Sequence, residues 1–195
     1  GAMGTGYSFQ FYLTEEPTIN EDGTIDLAGM KIRGGSSYDA MYSALDIARV
    51  DVPAGDIYTA LERGVVEGIG FTTIGVSSGG WQDFLNYRVF PTWRQGNTII
   101  AANAEAIDGL TDEQRAYLME MVEKHEMEAY DLAQSLEERE DTVLGEAGVE
   151  DIVLEGAGAA QITAAFQDTF WASFAETVGE EEAARFRAIV DAANA

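Results

Sequence analysis

With 46% hydrophobic and 10% aromatic residues among 195, the chain can bury a sizeable core, as one domain or as two small lobes. Its formal net charge of -24, from 35 acidic against 11 basic residues, excludes nucleic acid and anionic membrane surfaces as partners, because too few cations remain to neutralise phosphate. The absence of cysteine excludes disulfides, thiolate catalysis and zinc-thiolate sites. The acidic residues are spread along the chain, which suits a protein kept hydrated where salt screens self-repulsion, and a halophilic or marine source is expected.

Gly1-Ala-Met-Gly4 reads as the remnant of a cleaved expression tag, and residues 1–6 together as a disordered lead. Tyr7 to Leu13 is aromatic-rich and partly alternating, a strand. Glu15 to Asp26 carries Pro17, Asn20 and Asp22-Gly23 and reads as a loop. Met30 to Arg33 is a short apolar and basic run that breaks at Gly34-Gly35, and a helical pattern opens near Ser36 or Ser37. This is a strand, a tight glycine turn and a helix start. At such a junction the glycine pair lets a ligand approach the backbone, the helix start offers unpaired N–H groups, and Arg33 adds a planar fork of donors. All three favour an anion, most simply a carboxylate. The competing reading of Arg33 is a surface ion pair with one of the many acids.

Gly55 to Gly64 forms a short helix with Asp56 in its first turn, Ile57, Ala60 and Leu61 on one face and Gly64 as the stop, leading into Val65-Val66-Glu67-Gly68. Asp26-Leu27-Ala28-Gly29-Met30-Lys31-Ile32-Arg33, the helix from Met41 to Leu45 and the block Gly55 to Gly68 together resemble the solute-binding proteins of tripartite ATP-independent periplasmic (TRAP) transporters, the DctP type. The Gly-Gly after Arg33 is closest to the branch that binds small 2-oxo or 2-hydroxy acids. The resemblance implies a ligand set of Arg33, Gly34, Gly35 and Ser36, with Phe71 at the position where an aromatic or asparagine faces the ligand. It also implies Trp93, in Pro91-Thr92-Trp93, as a pocket-lining side chain. In that branch a glutamate and a second acid help to hold a metal; here Gly70 and Gln95 stand at those places, so no metal and no other cofactor is expected.

Thr72 to Gly80 is small, polar and glycine-rich, either a connector or a loop at the mouth of a site. Trp81 to Trp93 is the densest aromatic cluster. Gly96 to Ile107 reads as a strand turning toward a helix. Thr111 and Gln114 form a capping box for a long helix whose apolar positions Leu118, Met121, Val122, His125, Ala129, Leu132 and Leu136 recur at three- and four-residue steps to about Asp141. His125, the only histidine, is expected to pack on or beside that stripe rather than to act as a ligand or base. Gly145 to Leu154 is a turn into a short strand, and two helices follow, at about 158–178 and 180–193. Phe166, Phe170, Trp171 and Phe174 are expected to pack as core against the sheet.

No nucleophile elbow, Walker loop or histidine triad is present, and a pair among 35 carboxylates says little, so a binding protein is expected rather than an enzyme. The resemblance implies an α/β fold of the periplasmic-binding-protein type II kind with a long spine helix, lacking the N-terminal part of the family fold. Residues 7–96 plus 143–195 would form the ligand-binding lobe, and 97–142 a crossing strand and long helix of a second, incomplete lobe. The function it implies is capture of a small organic acid in the periplasm for TRAP membrane permease subunits, after export directed by a signal peptide that precedes these residues. The alternative is a sensory or structural interaction module with a vestigial pocket. An apolar stripe left bare on the long helix would also favour a homo-oligomer.

Overall fold

Strand β2 (Ser8–Leu13) shows how the chain builds its core: Phe11 and Leu13 enter one apolar cluster, Tyr12 enters another on the opposite face, and none of the three is exposed. A strand buried on both faces must lie inside a covered sheet. In the computed structural model, which describes residues 2–3, 6–96 and 98–193, β2 lies within a mixed six-stranded sheet. Of the lead expected at 1–6, residues 1, 4 and 5 lie outside the described ones, as does residue 97.

The elements run in chain order as β1 (Ala2–Met3), β2, the small hairpin β3 (Thr18–Ile19) and β4 (Ile25–Asp26), β5 (Lys31–Arg33), α1 (Asp39–Ala44), β6 (Ala48–Val50), α2 (Ile57–Glu62), β7 (Gly68–Thr72), β8 (Tyr87–Gln95), β9 (Thr98–Ile99), α3 (Ala104–Asp108), α4 (Asp112–Glu146), β10 (Glu150–Val153), α5 (Gly156–Val178) and α6 (Glu180–Ala193). The sheet order is β10-β8-β2-β7-β5-β6. β2 is antiparallel to both its neighbours, β7 and β8, while β10 runs parallel to β8, and β5 parallel to both β6 and β7. Five strands therefore end on the same edge, the edge at which β2 begins.

One face of the sheet packs Ile32, Met41, Tyr42, Trp93 and Ile162 around Phe11 and Leu13; the other packs Ile57, Leu61, Ile69, Val76, Trp81 and Leu144 around Tyr12. Tyr87–Gln95 is a nine-residue strand where the sequence shows an aromatic cluster interrupted by proline. The register explains the discrepancy, because Phe9 pairs with Arg94 while Phe11 pairs with Val89, so that residues 90–93 bulge opposite Gln10. Pro91 sits in that bulge, where a missing N–H costs no ladder bond.

The capping box forms as the sequence predicts, with Gln114 N–H donating to Thr111 Oγ1 and Thr111 N–H donating to Gln114 Oε1. Helix α4 has 35 residues, about 52 Å at 1.5 Å per residue. Only Ala133, Glu140 and Leu144 are buried, all in its C-terminal part, whereas Tyr117 (64% exposed), Met119 and Met127 stand in the open. His125 does not pack: it is exposed, and its Nδ1 lies 2.5 Å from Glu128 Oε2 on the next turn. Thr111→Ala should therefore fray the start of α4, speeding amide exchange at 112–116 by the loss of about 1 kcal/mol, with the global denaturation midpoint unchanged. A lowered global midpoint would show instead that the helix start is coupled to the core.

The C-terminal aromatics divide between two partners. Phe166 packs on the core next to Trp93, whereas Phe170, Trp171 and Phe174 stack along α5 and meet Phe186 of α6, leaving Phe170 45% exposed. The expectation of core against the sheet holds for Phe166 alone, because the 23-residue α5 runs past the sheet and its later turns pack on α6 instead.

Candidate functional site

Arg33 ends β5, and Phe71 stands one residue before the end of β7, on the edge where five strands finish. In α/β sheets the carboxyl ends of strands are where ligands bind, because the chain leaves the ladder there and its side chains meet in loops. The Arg33 guanidinium lies 5.9 Å from the centroid of the Phe71 ring, and its Nε donates to the Val52 carbonyl at 3.0 Å. That bond fixes the plane of the fork and leaves the two terminal nitrogens for a carboxylate approaching end-on. Phe71 in turn meets the ring of buried Trp81 edge-on at 4.7 Å.

The turn after Arg33 is held from several sides. Gly34 N–H donates to Val50 O, Gly34 O accepts from Arg49 Nη1, and Arg49 is ion-paired with Asp39. Gly35 O accepts from Tyr38 N–H in the 3-10 turn Ser36–Tyr38, at whose start Ser36 is exposed. Gly34 is buried, and its missing side chain makes room for protein: a Cβ there would lie 2.7 Å from the Tyr42 ring. Gly70 does the same from β7, where a Cβ would stand 2.2 Å from the Tyr42 hydroxyl. That hydroxyl donates to the Arg33 carbonyl at 3.0 Å, and burial pushes its pKa far up. The position at which the resemblance expects a metal-holding glutamate is thus filled by a tyrosine wedged between two glycines. Gln95 is exposed at the end of β8, opposite Ser8.

Trp93 is 5% exposed and lies in the core on the face of Ile32 and Phe11, while Phe71 packs on the other face. The structure therefore brings Arg33 and Phe71 together directly and connects Trp93 to the glycine turn through Tyr38, whose ring meets the indole edge-on at 5.1 Å. The Trp93 indole N–H has no acceptor among the described residues.

Two residues that the sequence did not single out join this edge. Tyr38 is half-buried, and burial raises its pKa while the charges of Arg94 and Arg33 pull it down, so both guanidiniums lie close by. Arg94, whose neighbour Trp93 had drawn the attention, lies 5.2 Å from the centroid of the Phe9 ring. Among the described residues neither Arg33 nor Arg94 makes an ion pair, in a chain with 35 acids, whereas Arg49 and Arg88 each have two carboxylates. The signal available in the sequence was Arg94 itself, one of only 11 basic residues.

Comparison with known proteins gives this edge its context. The family described as bacterial extracellular solute-binding protein, family 7 (DctP), matches residues 22–177. Among similar solved structures, a TRAP periplasmic solute-binding protein from Desulfovibrio salexigens with bound orotic acid has a TM-score of 0.78 at 16% identity, covering 95% of this chain and 60% of its own. One from Chromohalobacter salexigens with bound D-glucuronate has a TM-score of 0.78 at 20% identity, covering 93% of this chain and 59% of its own. A third, from Shewanella oneidensis with bound succinate, has a TM-score of 0.74 at 18% identity, covering 94% of this chain and 62% of its own. The chain thus spans about three fifths of the length of each, with the same mixed α/β sheet and long helices.

Proposed function

The chain belongs to the DctP family of bacterial extracellular solute-binding proteins, and on that footing we propose that it is the larger part of a periplasmic receptor that captures a small organic acid for a TRAP permease. The observation that carries this reading is the pair Arg33 and Arg94 at the strand ends. A chain of net charge -24 could neutralise both many times over, yet it places no described carboxylate against either. Half-buried guanidiniums keep their unused donors only where something else supplies the acceptor, and a ligand carboxylate matches that fork.

Capture needs no chemistry from the protein, so the residues at this edge act as binding groups and the receptor is not an enzyme. Arg33 would grip the carboxylate, Phe71 would cover the ligand's apolar part, and Gly35 and Ser36 would offer the accessible part of the turn, since the backbone of buried Gly34 is already bonded within the protein. Tyr38, edge-on to Trp93, would form the wall beside Arg94. Relatives of this fold hold glucuronate, succinate and orotic acid, all carboxylates, which supports the acid as the common element of recognition. The second wall of the cleft would come from the part of the two-lobed fold beyond this chain, with α4 running between the lobes and closing them around the ligand.

Titration calorimetry of the full-length protein against mono-, di-, keto- and sugar acids tests the proposal; binding of at least one class is expected. Silence across all four would favour the alternative, an interaction module with an unused pocket. Arg94→Gln should weaken the preferred acid by about 1 kcal/mol, since a partly exposed charge contributes less than a desolvated one. An unchanged affinity would remove Arg94 from the site.

A further inference from the structure

The segment between β7 and β8 is fastened to α4 through one buried carboxylate. Glu140 is 4% exposed; its Oε1 accepts from Ser77 N–H at 2.6 Å and its Oε2 from Ser77 Oγ at 2.7 Å. Among the described residues no cation pairs with it, so a charge has been taken out of water for two bonds to a single serine. Burial on those terms is costly, and a carboxylate held so is better explained by what it positions than by its contribution to stability.

Ser77 follows Val76, which is fully buried and whose carbonyl accepts from both Gly79 N–H and Trp81 N–H. The turn thereby sets the ring of Trp81, Trp81 sets the edge of Phe71, and Phe71 is the surface beside the Arg33 guanidinium. Resting on the capture reading of Arg33, we infer that Glu140 is a positioning residue of the carboxylate site: by clamping Ser77 it fixes the 76–81 turn and, through Trp81 and Phe71, the setting of the Arg33 fork. It touches no ligand itself. Its place on α4, one residue before Asp141 of the Arg88 ion pair, also ties this setting to the helix that leaves the sheet.

Glutamine separates positioning from charge, because its amide oxygen can accept from Ser77 N–H while its NH2 donates to Ser77 Oγ. In the full-length protein, Glu140→Ala should raise amide exchange at 76–81 and weaken binding of the tightest among succinate, D-glucuronate and pyruvate by about tenfold, the scale of a site loosened by a fraction of an ångström. Glu140→Gln should leave both exchange and affinity within about twofold of the unsubstituted protein. Affinity that survives Glu140→Ala unchanged while the turn loosens overturns the inference alone, as does a glutamine variant as weak as the alanine one. If the unsubstituted protein binds none of the three acids, the capture reading falls and the positioning role falls with it.

Discussion

Replacing Arg33 with lysine in the full-length protein is expected to weaken its preferred carboxylate by about 2 kcal/mol or more, roughly thirtyfold. Lysine keeps the charge but loses the planar fork, and it also loses the Nε donor that now reaches the Val52 carbonyl and sets the plane of that fork. The ammonium would be free to turn, and a carboxylate that met two parallel donors would meet one. Folding should change little, because Arg33 lies at the end of its strand and the only hydrogen bond of its side chain among the described residues is the one to Val52. Calorimetry paired with a thermal melt reads both quantities. Intact affinity would mean that Arg33 serves only to close the Val52 loop, and a melting temperature that fell along with the affinity would mean that its role is structural.

The residues that could be read from sequence are those whose signal is local. The capping box at Thr111, the glycine break after Arg33 and the apolar face Ile57, Ala60 and Leu61 each state their structure within a few positions, and each appears where expected. What failed depended on pairing. β8 is hidden because its hydrogen-bond partners lie about eighty residues earlier in β2 and about sixty residues later in β10, and the bulge that admits Pro91 is visible only in the register of β8 against β2. His125 sits on the apolar stripe by count, yet its side chain stays exposed beside Glu128, so burial does not follow from periodicity. The site divides in the same way. Arg33 and Phe71 fall together because parallel strands end on one edge, which strand order could imply, whereas Arg94 reaches that edge only through the bulge that resets its register against Phe9.

The packing around Tyr42 makes the largest stability prediction. Gly70→Ala places a methyl group 2.2 Å from the Tyr42 hydroxyl, too close for any real contact. Tyr42 cannot swing aside: it is 1% exposed, its ring lies against Phe11 and Tyr38, and its hydroxyl is bonded to the Arg33 carbonyl. The cost should be about 2–3 kcal/mol of overpacking, a fall of roughly 5–10 °C in melting temperature for a protein of this size. Tyr42→Phe alone should cost about 1–2 kcal/mol, because the Arg33 carbonyl loses its hydroxyl donor. In the double variant the atom that clashes is already gone, so the two losses should not add: the pair should be more stable than the sum predicts by about 1 kcal/mol or more. Strict additivity would show that the hydroxyl is not what excludes a side chain at Gly70. Positive coupling would explain in physical terms why glycine, and not an acid able to hold a metal, occupies this position beside the Arg33 turn.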